Sequence, residues 1–135
     1  MNRVVKRARA LLGTRFRPQG RDSDHGLDCV GLLLCAFDID TAAVRRNYRL
    51  RGDHKAELEA ELERHFRRVR DADLRPGDVM LMAVTNDQLH LGIRTEIGCV
   101  HADAGIGRVV ETAGEPRWPV IAVYRKRRAA RREPR

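Results

Sequence analysis

Cys29 stands where a thiol could do chemistry. In "HGLDCVGLLLCAF" (25–37) it follows Asp28 and precedes a run that is mostly apolar from Val30 onward. A cysteine serving only packing would sit deeper in such a run, as Cys35 does. At a helix start, unpaired backbone N–H groups and the helix dipole favour an anion, and the thiolate is the reactive form of cysteine. Asp28 has the chemistry of an N-cap, and Gly31 would leave space beside the thiol for a substrate backbone. Taken alone, however, the stretch fits a small buried packing residue better than a nucleophile.

A nucleophilic thiol needs a base. Of the five histidines, His54 and His65 fall on or beside the polar face of a long helical pattern, and His25 lies in a loop. His90 and His101 differ. "HLGIR" and "CVHAD" read as two strands joined by a tight turn near Thr95–Glu96. With Arg94 opposite Ile97, His90 stands opposite His101, and directly paired side chains share a face with Cβ atoms about 5 Å apart. One imidazole then orients the other, the arrangement a Cys–base pair requires. A one-residue slip would put the rings on opposite faces. The competing reading is a metal centre of His90, Cys99 and His101 with Cys29 as fourth ligand. The close CxxC or HxxxH spacing of such sites is absent, so neither a metal nor another cofactor is expected.

These residues must be positioned by recognisable elements. Residues 3–12 predict a short helix stopped by Gly13. "TRFRPQGRDSDHGL" (14–27) reads as loop, and a second helix runs from Cys29 to about Phe37. "DIDTAAVRRNYRLRGD" (38–53) is ambiguous. Residues 54–70 predict a helix with Leu58, Leu62, Phe66 and Val69 on one stripe. After the turn "LRPGD" (74–78), the runs "VMLMAV", "LHLGIRT", "GCVHAD", "GRVVET" and "PVIAVYR" alternate with Gly, Pro, Asn or Asp and read as about five strands. Helices followed by closely spaced strands predict an α+β domain with an antiparallel sheet. Residues 1–125 form that one domain, and 126–135 read as a disordered basic tail.

Composition narrows the function. The chain has 135 residues and a formal charge of +8, much of it in "RVVKRARA" and "RKRRAARREPR" at the ends. Non-specific contact with a polyanion through these ends is expected, as is the plainer alternative of a solvated helix face and a tail. Only 4% of residues are aromatic, against a stacking platform for single-stranded nucleic acid. Three cysteines without paired spacing do not imply a disulfide framework. No run approaches the roughly 20 apolar residues of a membrane span, and the basic start lacks an apolar signal core. Synthesis in the cytoplasm follows as the expectation.

With Cys29, His90 and His101 in this order, the chain resembles the NlpC-type cell-wall peptidases, a papain-like superfamily of cysteine hydrolases. The matching pieces are "GTRFRPQG", "GLDCVGLL", "LRPGD", "HLGI" and "VHADAGIGRVVE", and with the closing strand they span Gly13 to about Tyr124. Their order and spacing carry the resemblance. It implies helices packed on a small antiparallel sheet, with Cys29 as nucleophile, His90 as general base and acid, and His101 as the polar residue orienting it. The Cys29 N–H would help form the oxyanion hole, with Gln19 donating nearby as the upstream glutamine does in papain-like folds. The implied substrate is a peptidoglycan stem peptide, cut between D-γ-glutamate and a diamino acid through a thioester.

The spacing "RPQGRDSDHGLDC" and the ending "RWPVIAVYR" look most like the branch found in phages, prophages and gene-transfer particles. The resemblance then implies tail proteins as partners and delivery to the wall by a particle. Three positions depart from the usual pattern. Val30 replaces the serine after the cysteine, and Arg15 and Phe16 replace an upstream Pro-Tyr. Loss of that tyrosine hydroxyl bears on which bond is cut more than on the reaction class. Two alternatives stay open: a tail assembly component that uses the same fold without catalysis, and a hydrolase or acyltransferase acting on another amide or on a lipid acyl group.

Overall fold

The computed structural model describes residues 2–40 and 55–127. Helix α1 (Arg3–Ala10) begins at Asn2, whose side-chain oxygen accepts from the Val4 and Val5 amides. It ends ahead of Gly13, which holds the positive φ of +86° that most residues avoid. The expected loop that follows contains a small hairpin, β1 (Arg21–Asp22) with β2 (Gly26–Leu27). Asp28 caps α2 (Cys29–Ala36), which is buried at every position except Cys35. An almost wholly apolar helix has no solvent face, so α2 is the helix around which the domain packs.

Helix α3 (Lys55–His65) buries Leu58 and Leu62 but stops five residues short of the expected end at 70. The chain becomes β3 (Phe66–Val69) instead, paired antiparallel with β8 (Val120–Lys126) from Phe66↔Lys126 to Val69↔Val123. The spacing of Leu62, Phe66 and Val69 suited a helix stripe, yet pairing with β8 covers a strand edge that would otherwise be open. Most of the segment 38–53, all but the first two residues of the tail 126–135, and His54 lie outside the described residues. Of the two tail residues described, Lys126 ends β8 and Arg127 donates to the Glu63 carbonyl.

The remaining strands are β4 (Val79–Thr85), β5 (Gln88–Arg94), β6 (Gly98–Asp103) and β7 (Arg108–Ala113). Together with β3 and β8 they form an antiparallel sheet in the order β3-β8-β4-β5-β6-β7, six strands rather than five. The α+β expectation holds; the extra strand is β3. Alternation gives the sheet two different faces. Val79, Leu81, Leu89, Leu91, Ile93, Val100 and Ala102 pack with α2 in the main core. Met80, Met82 and Cys99 face the other way, against Leu74, Trp118 and Val120. Among the described residues no helix is long and apolar enough to cross a membrane.

Candidate active site

The start of α2 is fastened to the loop before it. Asp28 Oδ1 accepts from the Gly31 amide at 2.8 Å and from Arg21 Nη1 at 2.9 Å, while Oδ2 accepts from the Gln19 amide at 2.9 Å. Arg21 is deeply buried, its side chain 3% exposed. Asp28 is therefore a bracket for the site, with its carboxylate oxygens engaged by its own chain. Gln19 is held at φ +58°, a left-handed conformation that costs energy for a residue with a Cβ. Gly31 does not provide the space for substrate expected of it. A Cβ there would strike the Gly20 carbonyl oxygen, so the absent side chain lets the loop pack on the helix.

His90 and His101 meet, by a register other than the expected one. The β5–β6 ladder pairs Ile93 with Val100 and Arg94 with Cys99, so Arg94 faces Cys99 and not Ile97. An offset of two residues preserves the face, and the imidazoles become diagonal neighbours. His90 Nε2 lies 3.1 Å from His101 Nδ1. His90 also stands opposite Met82 across β4, which puts the ring on the sheet face away from α2.

Cys29 approaches from the other face. The β5–β6 ladder ends at Ile93 and Val100, and beyond it the strands run unpaired towards His90 and Asp103. There the backbone amide of Leu91, next in sequence to His90, is close enough to favour the Cys29 thiolate. The side of β5 and β6 beyond their ladder is open, and Cys29 and His90 both border it. Phe16, Gln19, Asp28, Cys29, His90 and Trp118 line one cleft of about 400 Å³. His101 stands behind His90, and Gly31 is buried away from the cleft. His25 is elsewhere, exposed and bonded to Asp22 at 2.8 Å, and His65 is half-buried beside Glu61.

Two contributors escaped the sequence reading. Thr112 Oγ1 lies 2.9 Å from His101 Nε2. The Trp118 ring sits edge-on to both imidazoles, with centroids 5.2 Å from His90 and 6.0 Å from His101. The pairings Cys99↔Thr112 and His101↔Val110 make Thr112 a diagonal neighbour of His101, legible only once the β6–β7 register is known.

Solved structures share this arrangement of elements. The NlpC/p60 domain of the peptidoglycan hydrolase SagA superposes with a TM-score of 0.59 at 18% identity, over 84% of this chain and 90% of that one. The P60 domain of an antigen from M. avium subspecies paratuberculosis gives 0.60 at 18% identity, over 91% of each chain. The protein has the NlpC/p60 fold. The peptidoglycan hydrolase RipB from Mycobacterium tuberculosis gives 0.60 at 22% identity, over 91% of this chain and 62% of that one. No family model and no curated protein matches the sequence significantly.

Within this NlpC/p60 fold, burial overrides the helix start. Desolvation first, then the Asp28 charge, push the Cys29 thiol up to about 12, although the amides of Leu91, Cys29 and Val30 pull the other way. The expectation that the helix N-terminus activates a resting thiolate is therefore corrected: desolvation of the anion outweighs the dipole. Burial, reinforced by His101, lowers His90 from 6.5 to about 4. Burial also lowers His101, where the Asp103 charge opposes and Arg117 adds to the effect. At neutral pH the site holds a neutral thiol and two neutral imidazoles. Among the described residues no three His, Cys, Asp or Glu side chains converge as metal ligands would.

A pH profile reads this state directly. A neutral imidazole serves as base until it protonates, so the acid limb of kcat/KM should lie well below 6.5, towards 4. The sign is that activity is retained above this limb and lost as pH falls through it. A limb at 6.5 or above, measured on a substrate without titrating groups in that range, would show that His90 is not held neutral.

Proposed function

We propose that this protein is a cysteine hydrolase of peptidoglycan stem peptides. The observation that carries the reading is the single cleft lined by both Cys29, at the head of α2, and His90, on β5. His101 occupies His90 Nε2, which leaves His90 Nδ1 as the nitrogen available to the thiol. The thiol proton passes to Nδ1 as sulfur attacks the amide carbon. The C–N bond then breaks, and the departing amine takes that proton from His90. Water hydrolyses the resulting thioester by the same route, with His90 accepting its proton and returning one to sulfur. The Cys29 and Val30 amides, which both favour the thiolate, would donate to the developing oxyanion.

The finer reading rests on the sequence resemblance. On that basis the bond cut lies between D-γ-glutamate and the diamino acid. On the same basis the protein belongs with hydrolases of phage or gene-transfer-particle tails, carried to the wall in the particle; the charge of +8 suits contact with an anionic wall. Incubation with peptidoglycan fragments of defined stem composition, followed by mass analysis, tests activity and bond position together. The expected products carry one added water across the γ-glutamyl bond. Intact fragments of every stem type, beside a hydrolase that cuts them, would overturn the proposal.

A further inference from the structure

We infer that Thr112 is a positioning residue that acts through His101 to set the proton arrangement of the imidazole pair. Its consequence for catalysis rests on the hydrolase reading; the proton arrangement itself does not.

Three groups form one hydrogen-bonded line: Thr112 Oγ1 to His101 Nε2 at 2.9 Å, then His101 Nδ1 to His90 Nε2 at 3.1 Å. Each neutral ring carries one N–H, so the line has two consistent arrangements. In the first, His90 Nε2–H donates to His101 Nδ1, His101 Nε2–H donates to Thr112, and His90 Nδ1 is bare. In the second, the Thr112 hydroxyl donates to His101 Nε2, His101 Nδ1–H donates to His90 Nε2, and His90 Nδ1 carries the proton. Only the first leaves a base for the thiol.

The surroundings of Thr112 favour the first. Thr112 is exposed on β7, so its hydroxyl proton can turn to solvent while an oxygen lone pair faces His101. Every N–H in the line then has an acceptor. A second cleft of about 200 Å³, lined by His101, Thr112 and Trp118 among others, lies against this side of the pair. Trp118 lines both clefts and touches both rings, which restrains their tilt. A valine at 112 would keep the shape, suit a strand, and keep water from the place of the hydroxyl; a serine would restore the oxygen.

The test is nitrogen-15 NMR of the imidazoles in the resting protein at neutral pH, paired with kinetics on stem peptides. Wild type should show both rings as the Nε2–H tautomer. Thr112→Val should mix Nδ1–H into His101 and lower kcat roughly tenfold to a hundredfold, as when metal-bound imidazoles lose their outer hydrogen-bond partner, with KM within about twofold. Thr112→Ser should restore both the tautomer and kcat. An Nδ1–H tautomer on wild-type His101, or a valine variant with unchanged tautomers and kcat, would overturn the inference. Expected tautomers in a protein that cuts no stem peptide would support the proton arrangement and overturn the hydrolase reading instead.

Discussion

Cys29→Ala should abolish the proposed hydrolysis of stem peptides, with kcat/KM lower by roughly 10⁴-fold or more, the scale for removing a nucleophile that works as a unit with its base. The fold survives: alanine loses a single sulfur at a position that is 2% exposed, a change of about 1 kcal/mol. Cys35→Ala is the control. Cys35 lies near the far end of α2, half-buried, its thiol 3.6 Å from the Arg21 carbonyl oxygen, and its loss should leave turnover intact. Rapid quenching of wild type with substrate should add the mass of one acyl fragment to the protein, and Cys29→Ala should show none. Activity persisting in Cys29→Ala would end the thioester mechanism.

Asp28→Ala should cost about 3–5 kcal/mol, the penalty for leaving a buried charge without its partner, with about 1 kcal/mol more for the lost cap. Asp28 satisfies the Gly31 amide at the head of α2 and the Gln19 amide in its left-handed turn, and it shares Arg21 Nη1 of the buried guanidinium with the Gly20 carbonyl oxygen. Removal leaves the Arg21 charge with only the Gly20 carbonyl as partner, since Nε and Nη2 already have no hydrogen-bond partner among the described residues. The paired variant Arg21→Met with Asp28→Ser separates the two contributions: serine still caps the helix, and the buried charge is gone. It should recover all but about 1–2 kcal/mol. Urea denaturation of the three proteins measures this. Equal midpoints for Asp28→Ala and wild type would show that the bracket is not structural.

Much of the site was legible because its residues obey short-range rules. An apolar run after Asp-Cys locates α2 and its cap to the residue, since capping is decided within one helical turn. The two histidines share a face because strand alternation has a period of two, and an offset of two residues does not disturb it. The boundary at His65 was not legible in this way. Phe66 and Val69 satisfy a helical stripe as readily as a strand, and the choice fell to β8, some sixty residues later in the chain. Gly31 follows the same logic: a missing Cβ marks a close approach, but only the tertiary structure shows that Gly20 makes it.

The sequence by itself determined which groups could react and in what order they occur: a thiol heading a buried helix, then two imidazoles on one face of a hairpin. Tertiary structure alone decided that Cys29 and His90 line one cleft, that Thr112 and Trp118 stand against the imidazole pair, and that burial works against charge on the thiol and both rings. The division has a physical cause. Helix caps and strand alternation depend on neighbours a few positions away, whereas desolvation and hydrogen bonds across strands depend on every element that closes around the site.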